Sequence, residues 1–121
     1  MPQHAPVRTS PLRALVIDDH PLFCDALTLT LKSVADISRI DTADLLKTAL
    51  ARLEEAGMPD LIVLDLNLPD VNGLDGLLRL RSAAPGVPVV VVSSMADNRM
   101  ISHALRAGAA GFVPKYSQRE V

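Results

Sequence analysis

The chain has 121 residues, a formal net charge of −2 and a single cysteine, Cys24. That length fits one compact domain with a core large enough to need no disulfide or structural metal, and a lone cysteine excludes an intramolecular bridge and points to a reducing, cytoplasmic compartment. The charge gives no electrostatic basis for nucleic-acid or anionic-membrane binding by this segment, and no apolar run approaches the roughly 20 residues that span a bilayer.

Met1 to Pro11 is polar, carries three prolines and lacks the apolar core of a signal peptide. It is expected to be a disordered lead-in to one domain over residues 12–121. Leu12 to Ile17 is an apolar run that stops abruptly at Asp18-Asp19, which predicts a buried strand with two acids at its carboxyl end. Pro21 suits the first turn of a helix, and Phe23, Leu27, Leu31 and Val34 follow at helical spacing. Ile37 to Ile40 is a weaker strand. Thr42 is placed to cap a second helix, with Leu46, Ala49, Leu50 and Leu53 on one face and Gly57 and Pro59 ending it. Leu61 to Leu64 predicts a buried strand that ends at Asp65. Leu74, Leu77 and Leu78 mark a third helix, ended near Pro85-Gly86. Val87 to Val92 is rich in β-branched residues and reads as a strand ending at Ser93. Asp97 starts a helix carrying Ile101, Ala104 and Leu105, closed by Gly108. Gly111 to Pro114 is a short strand with Lys115 at its end, and Ser117 is a cap for a further helix that the chain is too short to complete.

Alternation of strand and helix at this spacing predicts an α/β doubly wound parallel sheet with helices on both faces. Sites in such sheets form outside the carboxyl ends of the strands. Asp18 and Asp19, Asp65, Ser93 and Lys115 all fall at such ends, so three carboxylates, a hydroxyl and an ammonium converge on one crevice. Singly, each has an ordinary reading: a strand-end Asp is a turn residue, Ser93 a local cap, Lys115 a surface lysine. Their joint occurrence on four strands in order favours a shared chemistry. Crowded carboxylates call for a cation, and an all-oxygen set suits Mg²⁺. A carboxylate can act as nucleophile to give an aspartyl phosphate, while the hydroxyl and the ammonium contact phosphoryl oxygens.

With those residues in view, the chain resembles the receiver domain of two-component response regulators, in the NarL/FixJ (LuxR-type) form. The matching segments are VIDDHPLF (Val16 to Phe23), VLDLNLPDVNGLDGL (Val63 to Leu77), VVVVSSM (Val89 to Met95) and ALRAGAAGFVPK (Ala104 to Lys115). The resemblance implies a flavodoxin-like, CheY-like sheet of order 2-1-3-4-5, with a fifth helix truncated or missing here. It implies Asp65 as phosphoacceptor and Mg²⁺ held by Asp18, Asp19, Asp65 and the backbone carbonyl of Asn67. Ser93 becomes the switch hydroxyl, Lys115 its phosphoryl-pairing lysine, Phe112 the aromatic switch and Ser94 the small residue beside the site. Asn67 and Met95 would tune hydrolysis of the acyl phosphate.

The implied partners are a sensor histidine kinase and, through the fourth helix and fifth strand, a second copy of the chain. The implied output is a DNA-binding transcription-regulator domain outside this chain; the segment itself is expected to bind neither nucleic acid nor membrane. A stand-alone adaptor independent of phosphate is the alternative. A phosphatase is disfavoured, because that class needs a second Asp where Asn67 stands. Tyr116 follows the lysine where the wider family has Pro. His20, with no second His at ligand spacing, is expected to shape the loop, and Cys24 to be a small buried hydrophobe.

Overall fold

A computed structural model describes residues 12–34, 36–94 and 97–115. The predicted lead-in, Met95, Tyr116 and the helix proposed from Ser117 lie outside the described residues, as does the side chain of Val34. The elements run β1 (Leu12–Ile17), α1 (Pro21–Val34), β2 (Ile37–Ala43), α2 (Leu46–Ala56), β3 (Leu61–Asp65), α3 (Asp75–Ala83), β4 (Val89–Ser93), α4 (Asn98–Arg106) and β5 (Gly111–Pro114). The five strands form one parallel sheet in the order β2-β1-β3-β4-β5, the arrangement expected from the sequence.

The unbroken apolar runs follow from this architecture, because a parallel sheet is buried on both faces and alternate side chains enter opposite layers. Leu15, Ile17, Ile62, Leu64, Val89 and Val91 point into the larger core with Leu46, Ala49, Leu53, Leu77, Leu80 and Ala104. Val16, Val63 and Val92 point the other way and pack with Cys24, Phe23, Leu27 and Leu31 of α1.

Two sequence expectations are corrected. Thr42 caps no helix; it lies within β2, which continues to Ala43. Leu45 precedes α2 without a side-chain cap, and the carboxylate of Asp70 supplies one instead, accepting from Leu46 N at 2.9 Å and Lys47 N at 3.1 Å. Leu77 and Leu78 lie within α3 as expected, Leu77 buried together with Leu80 and Leu78 52% exposed. The fourth strand starts at Val89, two residues late, because Val87 N is used in a turn to Ala84 O and Pro88 has no N–H to give a ladder. The Asp97 cap is where the sequence places it, accepting from Met100 N at 2.7 Å.

The Asp70 cap stabilises α2 through two charge-assisted bonds. Desolvation is the largest single influence and opposes ionisation, but the N–H groups of Leu46, Lys47 and Asp70 itself, with the charge of Arg79, together outweigh it and hold the Asp70 carboxyl below its ordinary value of 3.8. A depressed folded-state pKa means the contribution is present above that value and fades as pH falls through the lower folded one. Asp70→Ala is expected to cost about 1 kcal/mol in urea unfolding at neutral pH, with the difference from the parent shrinking below pH 3.8.

Gly108 closes α4 with φ +103, and a Cβ there would lie 2.0 Å from Arg81 Nη1. That guanidinium reaches across from α3 to the carbonyl of Ala107 at 3.3 Å. Gly108→Ala is expected to lower stability by about 1–3 kcal/mol. Adding Arg81→Ala removes the clash but not the backbone strain, so urea unfolding of the double variant should show partial recovery only.

Candidate functional site

Register brings the strand ends to one place. Ile17 pairs with Leu64, so Asp18 and Asp65 fall in the same row, and Ser93 pairs with Pro114, one residue short of Lys115. The ladder bonds run on past the strands: Asp18 N to Ala43 O at 2.9 Å, Leu66 N to Val92 O at 3.1 Å and Lys115 N to Ser93 O at 2.9 Å. The backbone beneath each functional side chain is thereby held.

Asp18, Asp65, Ser93 and Lys115 are the buried polar and charged side chains among the described residues. Asp65 is gripped at both oxygens: Oδ1 accepts from Asn67 N at 2.9 Å and Oδ2 from Lys115 Nζ at 3.1 Å. Asp18 Oδ1 accepts from His20 N at 2.8 Å and from Lys115 Nζ at 2.9 Å. The ammonium thus bridges β1 and β3 with two buried carboxylates. Burial works to lower the Lys115 pKa, but its bonds to Asp18 and Asp65 outweigh burial and hold it above the ordinary 10.5. Ser93 donates its hydroxyl to Asn67 Oδ1 at 3.0 Å. Asp19 sits more openly, with a third of its side chain exposed. Ser94 is exposed. Phe112 is partly buried against the larger core.

Two participants were missed in the sequence. Phe23, read as a helix core residue, presents its ring 4.9 Å from Lys115 Nζ, a cation–π distance. The imidazole of His20, assigned to loop shaping, lies inside the acidic cluster: Nδ1 is 3.0 Å from Asp18 Oδ1, 3.2 Å from Asp19 Oδ1 and 3.7 Å from Asp65 Oδ2, and it also meets Lys115 Nζ. The only forewarning was its place beside the acidic pair. Cys24 behaves as expected. Burial first, and the nearby Asp18 second, push its thiol above 9.0, and an undissociated thiol is a poor nucleophile.

The donor set fits a divalent cation. One ligand atom from each of Asp18, Asp19, His20 and Asp65 lies within 4.8 Å of the others. Asp18 Oδ2 is buried in an ion pair 2.8 Å from Lys115 Nζ but makes no well-angled hydrogen bond, so it can also serve as a ligand atom. Three carboxylates against one buried ammonium also leave excess negative charge.

Comparison with known proteins agrees with this geometry. The chain is 42% identical over 108 residues to the glycerol metabolism activator of Pseudomonas putida, covering 88% of this chain and 48% of that protein. It spans about half the length of the curated relatives it matches. The receiver domain of the putative response regulator NarL from Mycobacterium tuberculosis superposes with TM-score 0.76 at 30% identity, covering 89% of this chain and 86% of that one. A response regulator from Burkholderia pseudomallei, solved with a phosphorylated aspartic acid, a calcium ion and citrate, gives TM-score 0.74 at 25% identity, covering 88% of this chain and 61% of that one. The description "Response regulator receiver domain" fits residues 14–121. Strand order, strand-end chemistry and relatives converge: the chain belongs to the response regulator receiver domain family.

Proposed function

We propose that Asp65 is the phosphoacceptor of this receiver, that a sensor histidine kinase is its donor, and that a DNA-binding domain outside the chain is its output. The observation that supports this best is the pair of contacts on Asp65. Its carboxylate is buried at the end of β3 yet paired and oriented by Lys115 Nζ and Asn67 N. The phosphorylated aspartic acid of the Burkholderia pseudomallei protein lends support from a relative.

A carboxylate oxygen of Asp65 forms the bond to phosphorus as the bond from phosphorus to the donor's imidazole nitrogen breaks. The electron pair leaves with that nitrogen, and an acyl phosphate remains on Asp65. Lys115, already within 3.1 Å of Asp65 Oδ2, is placed to follow the new charge onto a phosphoryl oxygen. The Ser93 hydroxyl can donate to another. Asp18, Asp19, Asp65 and the backbone carbonyl of Asn67 would hold Mg²⁺, which when bound neutralises charge on the phosphoryl oxygens.

Movement of Ser93 would be read by Phe112 on β5 and passed to the α4–β5 face. There Leu105 and Val113, each about half exposed, offer apolar area to a second copy of the chain. Residues 12–121 would form the receiver, working in the cytoplasm. No helix of the described residues is long and apolar enough to cross a membrane. The test is intact-mass measurement after incubation with acetyl phosphate and Mg²⁺. A single phosphoryl adduct that disappears without Mg²⁺ is expected; an unmodified chain would refute the assignment.

A further inference from the structure

We infer that Asn67 is a positioning residue that acts through Ser93. Its side-chain amide latches the Ser93 hydroxyl in the resting site, and phosphorylation must break the latch. The inference rests on Asp65 being the phosphoacceptor and deepens that reading.

Asn67 ties two parts of the site together. Its backbone N–H donates to Asp65 Oδ1 at 2.9 Å, and its side-chain Oδ1 accepts from Ser93 Oγ at 3.0 Å. Neither residue can relax the contact by moving its backbone. Leu66, just before Asn67, is buried and bonds through its N–H to Val92 O at 3.1 Å, while Ser93 O accepts from Lys115 N at 2.9 Å. The contact changes instead through rotation of the two side chains. The contact survives either orientation of the amide, because a hydroxyl both donates and accepts.

In the resting site the hydroxyl donates to a neutral amide oxygen. An acyl phosphate on Asp65 brings ionised oxygens, and a hydrogen bond to an ionised acceptor is roughly twice as strong as one between neutral groups. The hydroxyl therefore changes partner when Asp65 is phosphorylated, and the Asn67 amide is released toward solvent, where its side chain is already exposed. Before phosphorylation the latch biases the site against the state in which Ser93 faces Asp65. Removing it should favour any ligand that recruits the hydroxyl.

The test is a double-mutant cycle on the full chain. Beryllofluoride with Mg²⁺ serves as the phosphoryl probe, and its dissociation constant is read from amide NMR shifts. Asn67→Ala is expected to tighten binding by about threefold to tenfold, the worth of one neutral hydrogen bond. In a Ser93→Ala background the same substitution should change nothing, since no hydroxyl is left to release. An equal shift in both backgrounds would mean that Asn67 acts on the bound group directly, and would overturn the latch. So would unchanged or weaker binding by Asn67→Ala. Asn67→Ser provides a second truncation should the alanine variant fold poorly. Failure of the parent chain to bind the probe would instead overturn the phosphoacceptor reading, and the latch with it.

Discussion

Asp65→Asn is expected to abolish the phosphoryl adduct completely under conditions that label the parent chain. The amide is nearly isosteric. Its single oxygen can keep one of the two bonds, to Asn67 N or to Lys115 Nζ, while its NH2 faces the other donor. A loss of about 1–3 kcal/mol is therefore expected, and urea unfolding of the same sample shows whether the unlabelled chain is still folded. What the amide lacks is the anionic oxygen that attacks phosphorus. It also removes one of three carboxylates from the cation site, and divalent-ion affinity should fall by about tenfold or more. Intact mass and a metal titration on the same sample separate the two effects. An adduct that persists would assign phosphorylation to Asp18 or Asp19.

Lys115→Met is expected to be the most destabilising single change in the site. The ammonium is 1% exposed and pairs with Asp18 and Asp65, themselves 1% exposed. Methionine fills the volume but leaves two buried carboxylates facing each other with no cation, a situation that costs about 3–5 kcal/mol. Urea unfolding without divalent ions should show this loss. Mg²⁺ should restore part of it, because a ligand held only by the folded state stabilises it by mass action. The parent chain carries the complementary signature. Its Lys115 pKa is raised above 10.5, so the lysine's contribution is complete below that value and is lost as pH rises through the higher folded one. The variant has no such group, so above pH 10.5 the two stability curves should converge. A Lys115→Met variant as stable as the parent would show that the bridge contributes nothing net.

The strands were legible because a parallel sheet buried on both faces writes continuous apolar runs; β3 and β4 end on a polar group and Asp18 follows β1 directly. β2 was cut short for the converse reason. It is an edge strand, so Arg39 and Asp41 keep their side chains 59% and 25% exposed and break the run. The Asp97 cap was readable because donor and acceptor lie three residues apart. The Asp70 cap was not, since its carboxylate comes from 24 residues downstream, and a nearer hydroxyl, Thr42, looked adequate.

By itself the sequence determined which chemical groups stand at the strand ends, and therefore the class of chemistry open to them. Short-range pattern is enough for that: an apolar run must stop somewhere, and the residue that stops it is visible. Tertiary structure alone decided which groups touch. Lys115 meets Asp18 and His20 across 97 and 95 residues of chain, and Ser93 meets Asn67 across 26. Phe23 lies beneath the ammonium for the same reason. Such contacts depend on sheet order, register and the crossing of α1 over the sheet. These arise from packing the whole core, and no local stretch of sequence encodes them.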